Sequence, residues 1–515
     1  MMIKISVSLR DLAGEWTNSG ARWSCGASWI EPFVHPLLEV LTATDGTSWA
    51  LTVRERRSGV SRAGGDPLVM SRRGLEAMLA EWRAWPLGAV VLVVRADRLT
   101  VSAGAGGAAP LHLVSAGGRL VASWDLMDLR SFVSSERLVG REVARILSGH
   151  SRYGHDTMFA GVHLLTVGSV ADFSASGLEL RYPAAVGRDQ PRELAEDADP
   201  VAAFEELLAW VLEQRPMRAD RVAVQLSGGQ DSATVGLSLG ALYPDAVTAC
   251  AMELPSAAGV QQMERRALLA GACRLAGDCT VSALEYLPLH PAGARRGGRC
   301  SVYEEPYTEL LEASLAAVVA RGVVAVVTGF GGDELMAVAG QGSSRPARVR
   351  AWLGPAAREA EAERDAGIAP ATAVPETALL ALRTVSAPML RAGVWPVAPL
   401  TDPHMVRFTR QLPEVWRADK ALMRERLIRH GLPSRVVRPV LRETFAEVMA
   451  TAVHRYAPAL LRDMAADSPL VDAGFLDGRA LLAVAEDCER GVRGAAEHSA
   501  VYTPIALDLA VRSLT

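Results

Sequence analysis

"QLSGGQDSAT", residues 225–234, joins a short apolar run, "RVAVQL", to a helical one, "SATVGLSLGALYP". Two adjacent glycines let the backbone turn sharply. The N–H groups of Ser227 to Ser232 then point together at the start of the following helix, where the helix dipole favours an anion. Such a turn holds phosphate. A glycine-rich strand-to-helix turn alone is common in α/β proteins, where glycine serves packing. The full string of serine, two glycines, aspartate and serine is rarer, on the order of one chain in a thousand of this composition.

Around this turn the chain alternates. "PVAAFEELLAWVLEQRP" has helical periodicity, "RVAVQL" reads as a buried strand, "AVTACAM" as the next strand, "VQQMERRALLAGACRLAGD" as a helix and "CTVSALEY" as a third strand. This alternation predicts a parallel sheet covered on both faces. After "VVAVVTG" at 323–329 the chain reads as largely helical to its end. The first 185 residues differ, with strand-like runs at "IKISVSL", "SWALTVRER", "AVVLVVRADRLTVSA" and "LHLVSAGGRLVASWD", few helices, and "AGAGGAAP" near 103 as a turn. The expected division is 1–187, β-rich; 188–200, a polar linker; and 201–515, α/β.

Bulk properties narrow the function. Half of the 515 residues are apolar, enough for a large core. A formal net charge of −4 with dispersed basic residues gives no footprint for nucleic acid. No apolar run of spanning length and no secretory signal appears, so a soluble cytoplasmic protein is expected. The six cysteines lack metal-ligand spacing and read as reduced residues.

The string SGGQDS resembles the pyrophosphatase loop of the N-type ATP pyrophosphatases, and the rest of the chain resembles the asparagine synthetase family within them. That resemblance implies an α/β fold: an N-terminal glutaminase-like (Ntn-hydrolase-like) sandwich followed by a synthetase domain that uses ATP and Mg²⁺. It implies that Ser227, Gly228, Gly229 and Ser232 hold the β- and γ-phosphates. Leu226, Met252, Gly329 and Phe330 would border the nucleotide, and Asp231 would help bind Mg²⁺. "VVTGFGGDELM", 326–336, again follows a strand, and its Asp333 resembles the family aspartate that completes the metal site.

Only Lys4 and Lys420 among the 54 Lys+Arg residues are lysines. Lys420 lies in "ADKALMRERL", similar to the family's G-K-x-x-L-R segment, and "RHGLPSRVVRP" resembles the stretch that follows. The expected helix has Asp419 as N-cap, Lys420 in its first turn and a stop at Gly431 and Pro433. A compact ammonium there can approach the α-phosphate, where a planar guanidinium cannot. Lys420, Asp231 and Asp333 are therefore the expected catalytic residues.

Departures from the family narrow the expected reaction. Met2 stands where glutamine-dependent relatives have their N-terminal nucleophilic cysteine, and Cys25 lies too far inside to replace it, so the sandwich is expected to lack the glutaminase catalyst. Phe330 stands where asparagine synthetases have glutamate and β-lactam synthetases tyrosine; Tyr303, Glu304 and Glu305 are the alternative bases, equally readable as an acidic helix start. The combination is similar to lasso-peptide cyclases and β-lactam synthetases, which adenylate a carboxylate and let an amine of the same substrate attack. Partners implied are a small molecule or peptide with both groups, with a possible peptide-delivering protein, and neither nucleic acid nor membrane. An intermolecular ligase using ammonia or another amine is the alternative, and a catalytically silent scaffold the third.

Overall fold

The computed structural model describes residues 2–60, 65–107, 109–187, 189–338, 350–491 and 495–515. Arg188, the first residue of the expected linker, and Ala108, in the expected turn near 103, lie outside them. In the N-terminal half two seven-stranded sheets pack face to face. Ile3, Ile5 and Val7 on the strand Ile3–Ser8 point into the space between the sheets, meeting Leu51, Val53, Val90 and Leu92 from the other sheet. The strand-like runs "AVVLVVRADRLTVSA" and "LHLVSAGGRLVASWD" each fold as a hairpin, Ala89–Arg95 with Arg98–Ala103 and His112–Ala116 with Arg119–Ser123.

The strand Trp49–Glu55 is buried along its whole length because a second layer covers its outer face. Leu75, Leu79 and Trp82 of the helix Arg72–Arg83 supply that cover. The outer face of the other sheet is covered in turn by the helix Gly140–Ser148 and by the C-terminal helices Ala446–Ala466, Gly478–Glu489 and Ala495–Leu514. The result is a helix–sheet–sheet–helix stack, in which sheets buried on both faces read as continuous apolar runs.

In the C-terminal half five parallel strands run in the order β3–β2–β1–β4–β5. They are β1 (Val222–Gln225), β2 (Thr248–Glu253), β3 (Gly277–Ser282), β4 (Ala325–Val327) and β5 (Trp395–Val397). The helices α1 (Gln230–Leu242), α2 (Ser256–Ala272), α3 (Thr308–Val319) and α4 (Glu376–Arg391) lie between them in sequence, and α5 (Ala421–Arg429) follows. The strand order reverses between β1 and β4, which sets a crevice at their C-terminal tips.

β5 is a strand inside a region that is otherwise largely helical, as expected. Its three residues, with Pro396 in the middle, carry no alternation; Pro396 is accommodated because β5 is an edge strand paired only with β4. One apolar cluster runs from the N-terminal sheets through Phe204 and Leu208 of the helix Pro200–Glu213 to Trp395 and Met423. His35 Nε2 lies 2.9 Å from the Val324 carbonyl, tying the first half to the strand beside the crevice. No helix among the described residues is long and apolar enough to cross a membrane.

Candidate active site

The 225–234 stretch forms the turn expected of it. Gly228 has φ +91°, a conformation that favours glycine, and Gly229 caps α1. The two serines fasten the turn to itself: the hydroxyls of Ser227 and Ser232 lie 3.1 Å apart, Ser227 N–H donates to Ser232 Oγ, and Ser232 Oγ donates to the Gly229 carbonyl. Leu226 is buried, and both its backbone groups are engaged, N–H with the Cys250 carbonyl and C=O with Arg266 Nε. Its contribution is to anchor the turn.

Asp231 sits in the first turn of α1 and Asp333 in the short helix Gly332–Leu335, beyond the tips of β1 and β4 respectively. The second loop approaches the first so closely that only glycine fits. A Cβ on Gly329 would stand 2.8 Å from Ser232 N, and one on Gly332 would overlap the Asp231 carboxylate. Gly331, at φ +93°, makes the turn between them. The glycines of "GFGGDE" thus bring the two carboxylates together.

Lys420 comes to the same place from a third direction. Its Nζ lies 2.7 and 2.6 Å from the two oxygens of Asp231 and 2.6 Å from Asp333 Oδ1. Burial opposes charge on Lys420, but the two aspartates outweigh it and hold its pKa above the ordinary 10.5. Burial raises the Asp231 carboxyl above its usual range, with Lys420 acting in the opposite direction. The expected cap is different: Asp419 and Lys420 both have left-handed backbones, φ 51° and 53°, and α5 begins only at Ala421 without a side-chain cap. Asp419 is ion-paired with Arg424 instead. The helix does end at Arg429, with Gly431 at φ +73°.

Gly229, Asp231, Asp333 and Lys420 line an open cleft of about 770 Å³, a volume in the range of small-molecule sites; Leu226, Ser227, Gly228, Ser232 and Gly329 stand behind its wall. Arg424 and Arg438 line it too, and Arg424 has its pKa lowered by burial and then by the charge of Arg438. Two cations facing each other across a cleft suit a polyanion. Sequence reading gave neither a role, although Arg438 is part of the "RVVRP" that carries the family resemblance. The segment 438–443 is held over the turn by Gln261, whose amide bonds the Val440 and Leu441 N–H groups and the Leu441 carbonyl, and by Arg265 paired with Glu443.

Other expected residues lie apart. Met252 stands at the end of β2, where its carbonyl accepts from Gln262, and Phe330 packs against the apolar cluster of β4 and α4. Neither lines the cleft. Tyr303 and Glu304 line a different cavity whose walls share no residue with it. The Tyr303 hydroxyl accepts from Met158 N–H and its pKa is pushed up to about 12 by burial; Glu304 is paired with Arg391. Glu305 is raised by burial and bonded to Thr384. Cys25 is buried with its Sγ against the Asp11 carbonyl, burial and then Asp11 pushing the thiol up, the reverse of an activated nucleophile. All six cysteines are buried, and none is joined in a disulfide among the described residues.

Residues 203–392, which carry the glycine turn and Asp333, match the family model for asparagine synthase. Residues 203–392 are thus an asparagine-synthase-like domain, a little over a third of the chain. Family members join carbon to nitrogen at the expense of ATP, and the chain is an ATP-dependent amide-forming ligase of that class. No curated protein matches it. Among solved structures it is similar to an NH3-dependent NAD synthetase from Campylobacter jejuni, at 12% identity and a TM-score of 0.25 over 58% of this chain and 95% of that one. It is also similar to a glutamine phosphoribosylpyrophosphate amidotransferase from B. subtilis, at 8% identity and a TM-score of 0.22 over 64% of this chain and 81% of that one.

Proposed function

We propose that this asparagine synthetase relative activates a substrate carboxylate with MgATP and closes an amide within the same substrate, as lasso-peptide cyclases and β-lactam synthetases do in specialised metabolism. A carboxylate oxygen attacks the α-phosphorus in line and pyrophosphate departs, leaving an acyl-adenylate. The substrate's amine then attacks the acyl carbon, loses a proton and displaces AMP. The observation that carries the reading is the Lys420 ammonium within 2.7 Å of two carboxylates at the strand tips where the sheet order reverses.

Asp231 and Asp333 fit Mg²⁺: two hard oxygen donors already converge on one cation, and a divalent ion there would complete its shell with phosphate oxygens and water. The ion would supply neutralisation of the departing pyrophosphate. Ser227, Gly228, Gly229 and Ser232 hold the terminal phosphates, Arg424 and Arg438 screen their charge, and Lys420 turns from the aspartates to the α-phosphate. Phe330 cannot take the amine proton, and the engaged positions of Tyr303 and Glu304 argue against either as the base. Buried cysteines outside any disulfide suit a reducing cytoplasm. A peptide substrate would be presented by a partner protein.

Mass spectrometry of candidate amino-carboxylates incubated with the protein and MgATP tests this. The expected product has lost one water while AMP and pyrophosphate accumulate in equal amounts. A product that has instead gained an amide nitrogen from ammonia would replace this reading with the intermolecular one, and ADP release would overturn both.

A further inference from the structure

A second cavity, of about 360 Å³, lies where the helix Gly140–Ser148 of the N-terminal half meets α3, α4 and the C-terminal helices. Tyr303, Tyr307 and Tyr502 line it, with Ile146, Leu380 and Met449 among its apolar side chains. Both α3 and α4 lead into parallel strands, so their first turns lie on the strand-tip side of the sheet, the side of the ligand crevice. Tyr307 also packs on Phe445, ring centroids 4.9 Å apart, two residues beyond Glu443 of the phosphate cleft. The two spaces are neighbours across this wall.

Four arginines line the cavity, and they are not equivalent. Arg145 is paired with Glu142 and donates to the carbonyls of Arg364 and Ala366; Arg152 is paired with Asp365 and Glu376. Arg295 spends its outer nitrogens on the carbonyls of Ser301, Glu304 and Glu305 and on the Thr308 hydroxyl, leaving Nε without a partner. Arg383, 8% exposed, lies 3.5 Å over the Tyr303 ring, and its Nε and Nη2 have no partner among the described residues. The two acids on the walls, Glu142 and Glu304, are already committed to Arg145 and Arg391. The Arg383 charge is felt at Glu142, but that carboxylate is already bonded to Arg145, and two guanidinium nitrogens left without hydrogen bonds at this depth are costly; an aromatic face offsets only part of that cost.

We propose that this cavity binds an organic carboxylate, its anionic end on the Arg383 guanidinium and its apolar body against the tyrosines. A planar carboxylate matches the guanidinium fork, and the mainly apolar walls select a hydrocarbon body over inorganic phosphate. The binding claim does not depend on the ligase reading. The carboxylate has two sources, a second, non-reacting acid group of the ligase substrate or a separate small-molecule effector.

Calorimetric titration of the whole protein with phenylacetate and with phenylacetamide, in the absence of ATP, tests it. Phenylacetate is expected to bind saturably and the neutral amide at least roughly tenfold more weakly, and Arg383→Met should weaken phenylacetate by a similar factor. Thr503→Trp, filling the cavity from the C-terminal helix, should abolish binding if Arg383→Met fails to fold by circular dichroism. No phenylacetate binding, equal binding of the amide, or unchanged affinity in a folded Arg383→Met overturns the proposal. Phenylacetate that supports or competitively blocks ATP–pyrophosphate exchange identifies the substrate source, and phenylacetate that binds without either effect identifies an effector. Loss of exchange with every substrate would sink the ligase reading and leave the titration result standing.

Discussion

Lys4 and Lys420 are the two lysines of the chain, and both rest against carboxylates, yet what holds them differs. Lys4 lies on the regular strand Ile3–Ser8, its Nζ 2.8 Å from Asp128 and 4.9 Å from the centroid of the Trp124 ring. One partner and an aromatic face are available there, contacts that a guanidinium makes equally well. Lys420 sits between two carboxylates brought together by glycine turns, on a left-handed backbone that costs on the order of 1 kcal/mol per residue at positions 419 and 420. The chain uses arginine almost everywhere else. Backbone strain is kept at a lysine that touches both aspartates, and none of that kind is found at Lys4.

The strongest way to break this contrast is Lys420→Ala, for which ATP–pyrophosphate exchange should fall by about a hundredfold or more with circular dichroism unchanged. Lys420→Arg should fail almost as badly, while Lys4→Arg keeps exchange within about twofold. Equal tolerance at the two sites would remove the contrast altogether. Next in size, Gly332→Ala drives a methyl group into the Asp231 carboxylate; exchange should drop roughly tenfold and stability by about 1–3 kcal/mol in thermal melts.

Protonation gives a third, smaller effect. Lys420 is held above 10.5 because its aspartates outweigh its burial, so its stabilising contribution is complete below pH 10.5 and lost as pH rises through the raised value. The melting-temperature gap between wild type and Lys420→Met should therefore stay level from neutrality to about pH 10 and close above 10.5. A gap that closed near pH 7 would mean the ammonium is not held by these carboxylates. Smallest is Lys4→Met, where a partly exposed pair should cost about 0–1 kcal/mol by urea denaturation.

Legibility in the sequence followed the same physics. Four strands of the parallel sheet showed as buried apolar runs between helical ones, and the glycine turn and Lys420 stood out because their residue types are hard to replace. β5 was hidden, since Trp395–Val397 is too short to show a period and its pairing is set by β4. The cap at Asp419 misled because an aspartate before a helix commonly accepts its N–H groups, whereas this carboxylate is drawn to Arg424. Tyr303 and Glu304 were expected near the chemistry because the resembling family segment borders the substrate pocket, and here they line the other cavity. Nothing in sequence brought Arg424 and Arg438 to one cleft, because the fold around α5 joins their two segments there.

The uninterrupted apolar seam from Ile3 through Phe204 to Trp395 has a mechanical consequence. Cutting the polypeptide near residue 200 would bare oily surface on both fragments, so the catalytic half is not a detachable cassette. Heat should melt the whole molecule in one cooperative step, and any strain arising in the sandwich is felt at the strand beside the ammonium.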